Sequence, residues 1–172
     1  SCLAEQAKIL WEEAEAKKMG DKARSQRWNR WYSCDLCKQR YHGVVRCALG
    51  WACWKTYVGR PETDPARLMA MPQLGAGLHE VGRHEEELSV READLATMRR
   101  LGAPEANLLC AQGNLANTYD MLGRVEEALN LYRDVYSGEL ILYGMAHEQT
   151  MISASNYVDS LLQLDRFEEA KS

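Results

Sequence analysis

Apolar residues recur every three or four positions along most of the chain, which is the spacing of amphipathic α-helices. This spacing predicts a first helix within residues 1–19, a second that Asp21 caps and that runs through Trp31, and a third over 47–58. Residues 32–46 are the least regular stretch. No segment alternates as a strand would, so the chain is expected to be all-α.

A fourth helix is predicted to begin at Asp64-Pro65, because aspartate caps free amides and proline is tolerated in the first helical turn. It extends to about Val81 and contains Pro72. A proline inside a helix removes one hydrogen bond and costs about 3 kcal/mol. Either a kink at Pro72 or a later helix start is therefore expected. The remaining helices are expected at about 85–101, 105–122, 125–142 and 148–164, before a truncated helix that Asp165-Arg166 opens.

One motif recurs three times in the second part of the chain. Each copy has a pair of small or apolar residues, a bulky residue three positions later and, after a turn, Arg-x-Glu-Glu. The arginines are Arg83, Arg124 and Arg166, at intervals of 41 and 42 residues. A fixed period of this length predicts stacked helical hairpins that bury their apolar faces against one another. The glutamate pairs fall at helix starts, where negative charge is favourable.

The middle copy of the motif is the most complete. Leu115-Ala116-x-x-Tyr119 is followed by Ala128-x-x-x-Tyr132, and these residues resemble the tetratricopeptide repeat (TPR). Their bulky members are expected in the core, because they lie on the apolar stripe of each hairpin.

The period of the motif is longer than the roughly 34 residues usual for tetratricopeptide repeats. Together with residues 123–132 and 142–150, this period resembles the kinesin light chain type of the repeat. The resemblance covers about residues 65–172 and implies a right-handed superhelical solenoid of helix-turn-helix (TPR-like) repeats. The first repeat departs from the motif at Glu87, where a small alanine is expected. The repeats fall at about 65–104, 105–147 and 148–172, the last of them truncated.

The resemblance also implies a concave groove lined by the first helix of each repeat. Carried over by position, the residues of this peptide-binding groove are His79, Asn114, Asn117, Asp120, Asn156, Asp159 and Gln163. Asparagine suits such a surface, because its amide both donates to and accepts from an extended peptide backbone. The alternative interpretation is an ordinary solvated helix face.

Composition and charge restrict the class of protein further. The 172 residues are 46% hydrophobic with a net charge of −4, which excludes a disordered chain. Residues 1–60 carry 12 basic and 6 acidic side chains, whereas residues 61–172 carry 9 and 19. These net charges of +6 and −10 predict that the two parts face different partners or each other.

The pattern divides the chain into three regions: Trp-rich amphipathic helices over 1–31, a Cys-rich segment and helix over 32–60, and TPR-like repeats over 61–172. No apolar run approaches the length of a membrane span and no signal peptide is evident, so a cytoplasmic or other intracellular location is expected. Because the chain lacks an initial methionine and stops within the third repeat, it is interpreted as a piece of a longer array.

Four cysteines lie within residues 34–53, and part of this window has metal-ligand spacing. Cys34-x2-Cys37-x4-His42-x4-Cys47 matches a CCHC zinc knuckle, in which three thiolates and one imidazole hold one zinc ion. Knuckles bind single-stranded nucleic acid by stacking bases on aromatic side chains beside basic ones. The residues available for this are Tyr41, Trp28, Trp31, Arg40 and Arg46.

The rival interpretation is a degenerate additional hairpin. A shift of 41 residues aligns Cys47 with Leu88, and residues 41–45 then align with 82–86. Cys47 and Cys53 would face the interior of this hairpin as small buried hydrophobic side chains. A disulfide or redox role is the third and least favoured alternative.

These features predict a non-enzymatic protein-protein interaction scaffold that binds a peptide or a partner subunit through its groove. The alternative is a zinc-dependent nucleic-acid-binding module that uses the basic Cys/His segment. An enzyme is not expected, because the sequence has no Gly-rich phosphate loop, serine elbow or zinc-hydrolase signature.

Overall fold

A computed structural model describes residues 2–166 of the chain. Within these residues the fold is all-α, as predicted. The predicted second helix of the last repeat, with Glu168-Glu169 and Ala170, lies outside the described residues. A 3₁₀ turn spans Asn29–Trp31. The eight α-helices are α1 (Cys2–Ala16), α2 (Asp21–Trp28), α3 (Gly43–Tyr57), α4 (Pro65–His79), α5 (His84–Arg100), α6 (Glu105–Met121), α7 (Val125–Tyr143) and α8 (Glu148–Gln163).

The predicted helix bounds agree with the observed ones to within a few residues, with two corrections. Asp21 does not cap α2: it lies in the first turn of the helix, and Gly20 occupies the cap without a side-chain hydrogen bond. The later start considered for α4 is also wrong. Asp64 caps this helix through bonds of 2.8 Å and 3.3 Å from the amides of Ala66 and Arg67, so α4 begins at Pro65 and includes Pro72.

The chain divides into two compact units, Ser1–Glu87 and Leu88–Ser172, so the boundary falls within α5. None of the described helices combines the length and the apolar character needed to cross a bilayer.

The N-terminal unit is built around a cluster of aromatic side chains. Trp11 of α1 meets Trp28 edge-on at 4.9 Å between ring centroids, and Trp28 lies 5.6 Å from Tyr57 of α3. Trp31 and Cys53 are buried in the same cluster. Large rings contribute much apolar burial, which explains how a short, irregular region forms a core.

Helices α3 and α4 pack closely against each other in the N-terminal unit. Their approach requires Gly77, since a β-carbon there would lie 2.9 Å from the Cα atom of Cys47. Cys47 and Cys53 are both buried. Both thiols thus occupy interior positions, whereas the degenerate hairpin within residues 32–60 stays a prediction.

The C-terminal unit contains the best-formed repeat. Helix α7 packs against both α6 and α8. Leu115, Leu129 and Tyr132 are buried as predicted, with Ala128 at the close contact that the motif requires. Tyr119 is only half-buried, because its hydroxyl reaches out and donates to Glu92 Oε1 at 3.1 Å.

The repeat motif is visible in the helix-ending turns. The amide of Arg124 donates to the carbonyl of Tyr119 at 2.9 Å, and Gly123 between them has a φ of 71°. The amide of Arg166 bonds the carbonyl of Leu161 at 2.9 Å in the same way, but Asp165 takes the left-handed position with a φ of 56°. This turn satisfies carbonyls left free at the helix end.

Candidate functional site

A cavity of about 410 Å³ lies among α6, α7 and α8 in the C-terminal unit. Three predicted groove residues line it: Asn114 and Asn117 from α6, and Asn156 from α8. The asparagines of α6 lie three residues apart and so share one helix face. The structure therefore brings together the asparagines of two successive repeats, as the resemblance implied.

Helix α7 forms the floor of the cavity. Tyr132, Val135 and Glu139 line it and are buried, and Tyr143 follows at the same helical spacing. The hydroxyl of Tyr132 donates to Asn117 Oδ1 at 2.6 Å, which fixes the orientation of that amide.

The two acidic residues of the predicted groove affect the ionisation of a tyrosine in the cavity floor. Burial, together with the carboxylates of Asp120 and Asp159, raises the pKa of the Tyr132 hydroxyl to about 12. Both mechanisms disfavour the tyrosinate anion, so Tyr132 stays a hydrogen-bond donor at neutral pH. Asp120, Asp159 and Gln163 are not among the residues that line the cavity.

Sequence reasoning missed several members of the cavity. Cys110 is exposed, lies one turn before Asn114 and accepts a bond from its amide at 3.9 Å. Glu139 was missed because it lies on the second helix of its repeat, whereas the groove was assigned to first helices only. The spacing of Glu139 from Tyr132, two helical turns, was the available signal.

His79 occupies a different environment from the other predicted groove residues. It belongs to the N-terminal unit, and its Nδ1 lies 3.0 Å from Glu87 Oε2. The Nδ1 of His84 lies 3.2 Å from the same oxygen. Glu87 is buried, so the two imidazoles stabilise a carboxylate where the motif expects alanine. Both rings donate to it only when Nδ1 carries the proton.

The same three side chains form the one group of potential metal ligands found in the described part of the chain. Their donor atoms lie within 4.8 Å of one another. Imidazole nitrogens and a carboxylate are ligand types that zinc accepts. In the present arrangement, however, Glu87 Oε2 already lies within hydrogen-bond distance of the Nδ1 atoms of both rings.

The predicted knuckle residues Cys34, Cys37, His42 and Cys47 are not brought together as a ligand set in the described residues. His42 is exposed, with Nδ1 3.8 Å from Glu80 Oε2, while Cys47 is buried in the packing of α3 against α4. Zinc binding by these four residues stays a prediction, and it requires His42 and Cys47 to leave their present contacts.

Cys34 and Cys37 do lie close together in a short turned segment. The amide of Cys34 donates to the carbonyl of Gln39 at 2.9 Å, and that of Tyr41 to Tyr32 at 2.9 Å. Hydrogen bonds to the Cys34 sulfur from the backbone of Cys37 and of Leu36 lower the pKa of this thiol. The segment therefore makes the Cys34 thiol more acidic than a free cysteine.

The aromatic residues proposed to stack on nucleic-acid bases are mostly unavailable. Trp28 and Trp31 are buried in the aromatic cluster of the N-terminal unit. Arg46 is half-buried, donates to the carbonyl of Trp31 at 3.3 Å and lies over the ring of Tyr32. Base stacking on the two tryptophans would require this core to open.

Fold and cavity together define the class: an all-α protein of stacked helical hairpins with a cavity between successive first helices. No family model matches the chain, and no curated protein matches its sequence. Solved structures match it in fold, and the likeness is to kinesin light chain TPR-like repeats. The chain therefore has a TPR-like helical-repeat fold of the kinesin light chain type.

One similar structure is the crystal structure of kinesin light chain nearly identical TPR-like repeats from Podosopora anserina. It has a TM-score of 0.64 at 18% sequence identity, covering 97% of this chain and 71% of that one. A single-residue variant of those repeats gives 0.63 at 17%, with 99% and 71% covered. BtubC (BKLC) from P. vanneervenii gives 0.60 at 18%, with 73% and 52% covered. At these identities the likeness establishes the fold alone.

Proposed function

We propose that the chain is a non-enzymatic scaffold that binds an extended peptide, or an extended segment of a partner subunit, in the cavity between α6 and α8. The observation that carries this proposal is the convergence of Asn114, Asn117 and Asn156 on one cavity from two successive repeats. Side-chain amides spaced along a groove match the alternating donors and acceptors of a peptide backbone.

The floor of the cavity adds apolar surface to these amides. Tyr132 and Val135 are buried beneath the asparagines, and Tyr143 lies at the edge with 41% of its side chain exposed. Ligand sites combine apolar walls with a few placed polar groups. Such a site binds the peptide backbone through hydrogen bonds to the asparagines, and its apolar floor contacts one or two peptide side chains.

The arrangement gives no support to catalysis at this cavity. Among the described residues the cavity contains one thiol, that of Cys110. Its sulfur atom makes a weak contact with the side-chain amide of Asn114 at 3.9 Å. A nucleophilic cysteine needs an adjacent base to generate the thiolate, and no histidine is among the described residues that line the cavity.

Selection from a peptide library tests the proposal. A random 12-residue library displayed on phage is selected on the full chain, and affinities of the recovered peptides are measured by calorimetry. Replacing Asn117 and Asn156 together by alanine is expected to weaken binding at least tenfold, because two backbone-binding amides are lost. The matched control replaces Asn130 and Ser155, which are exposed on α7 and α8 outside the cavity.

The proposal is overturned if no peptide is selected, or if the recovered peptides bind the Asn117→Ala/Asn156→Ala variant as tightly as they bind the control. A peptide whose binding is lost in the cavity variant and kept in the control supports it.

A further inference from the structure

Glu139 is a buried residue of the cavity, and one of its carboxylate oxygens has no hydrogen-bond partner in the described part of the chain. Only 7% of its surface is exposed, and its Oε2 atom has no hydrogen-bond partner. It lines the cavity on the face of α7 that also carries Tyr132 and Val135. Its backbone carbonyl accepts a bond from the Thr150 hydroxyl at 3.3 Å, which fixes this turn of α7 against the start of α8.

A buried carboxylate without a partner is costly, and in folded proteins such groups are normally paired or hydrogen-bonded. The described residues that line this cavity include no lysine, arginine or histidine. Two arginines of the C-terminal unit contact other carboxylates: Arg124 contacts Glu127, and Arg133 lies 3.7 Å from Asp134. Within the described part of the chain, the Oε2 atom of Glu139 is therefore available to a cationic group of a ligand.

The remainder of the cavity suits a basic side chain with an apolar stem. Tyr132 and Val135 offer apolar contact for such a stem, and Tyr143 adds an aromatic ring, one face of which is stacked on His147 with 4.6 Å between the ring centroids. The carboxylates of Asp120 and Asp159, which act on Tyr132 and raise its pKa, add negative charge near the other end of the floor. Residues 88–172 carry 13 acidic and 7 basic side chains, a net charge of −6 that attracts cationic segments.

We infer that Glu139 forms a subsite for a lysine or arginine side chain of the bound peptide, whose ammonium or guanidinium group donates to the unpartnered Oε2 atom. This inference rests on the proposed function, because it requires a peptide in the cavity. It adds a specificity rule: the peptide carries a basic residue at the position above Glu139, and its backbone lies along the asparagines of α6 and α8.

The test uses the full chain and the same displayed 12-residue library. Peptides selected on the wild-type chain are expected to share one lysine or arginine at a fixed position. Replacing that residue by glutamine in a synthetic peptide is expected to weaken binding to the wild-type chain about ten- to a hundredfold, the range of a charge-assisted hydrogen bond. The same replacement is expected to change binding to the Glu139→Gln variant less than threefold.

Asp134→Asn is the matched control, because it removes one negative charge from the same helix at an exposed residue outside the cavity. If general attraction to the acidic unit explains the preference, Asp134→Asn reduces it as much as Glu139→Gln does, and the subsite is refuted. Circular dichroism and urea unfolding of both variants verify that they fold.

The outcomes separate the two proposals. Suppose that the selected peptides lose binding to the Asn117→Ala/Asn156→Ala variant. If they show no preference for a basic residue, or if that preference is fully kept with Glu139→Gln, the subsite is overturned and the groove is retained. A selection that recovers no groove-dependent peptide overturns both. A basic preference that Glu139→Gln removes and Asp134→Asn retains supports both.

Discussion

The Tyr132 hydroxyl donates a hydrogen bond to Asn117 Oδ1, with 2.6 Å between the two oxygens. A buried floor residue of α7 thereby orients an exposed groove amide of α6. With its carbonyl held by Tyr132, Asn117 directs its amino group away from that bond, where it is available as a donor.

Replacing Tyr132 by phenylalanine is expected to weaken peptide binding about three- to tenfold and to lower the free energy of unfolding by about 1 kcal/mol, because one part-buried hydrogen bond is lost. Calorimetry with a selected peptide and urea unfolding measure the two effects. Tyr136→Phe is the control, since Tyr136 stacks on Tyr157 outside the cavity. Equal affinities of the two variants would show that Tyr132 does not position Asn117.

The repeat made much of the fold predictable. Helices α5 to α8 follow the 41–42-residue period closely, and the turns after α5, α6 and α7 each place a glycine at positive φ. Asn114, Asn117 and Asn156 were found by transferring helix positions between repeats. All three line the same cavity, and their binding role stays a prediction.

What the sequence did not reveal depends on how side chains and helices pack in three dimensions. Glu87 was noticed only as a departure from the motif, and its two histidine partners follow from packing at the start of α5. The knuckle spacing was read as local, yet α4 covers Cys47 across Gly77. The place of Glu139 in the cavity depends on which face of α7 lines that cavity, and this follows only from the packing of α6, α7 and α8.

The helix-ending turns differ in one testable respect. Gly123 has a φ of 71° and Asp165 a φ of 56°. This left-handed backbone conformation is costly for residues other than glycine. Gly123→Ala is expected to reduce stability by about 1 kcal/mol, whereas Asp165→Gly is expected to increase it by about 0.5–1 kcal/mol. Urea unfolding monitored by circular dichroism measures both. Destabilisation by Asp165→Gly would show that the aspartate side chain contributes more than its backbone strain costs.

Asp94 predicts a pH dependence of stability. Burial raises the pKa of its carboxyl to about 6, although the nearby Arg91 opposes this. The folded chain therefore keeps a proton that the unfolded chain has already released, so the contribution of Asp94 to wild-type stability falls as pH rises from about 4 to about 6 and stays lower above that range. Asp94→Asn removes this titration, and its advantage over wild type should grow by about 2–3 kcal/mol between pH 4 and pH 7.5.

Urea unfolding at a series of pH values measures the advantage of Asp94→Asn. Asp134→Asn serves as its control, because Asp134 is exposed and its difference from wild type should stay nearly constant. A constant difference for Asp94→Asn as well would mean that the buried carboxyl titrates normally in the folded chain.

Cys110 gives the most direct measurement of peptide binding in the cavity, because it is an exposed thiol among the residues that line it. The alkylation rates of Cys110 and of the exposed Cys37 are followed by mass spectrometry, with and without a saturating selected peptide. The proposal predicts that the peptide slows alkylation of Cys110 at least fivefold and leaves Cys37 unchanged. An unchanged rate at Cys110 with the peptide bound would contradict a peptide-binding groove between α6 and α8.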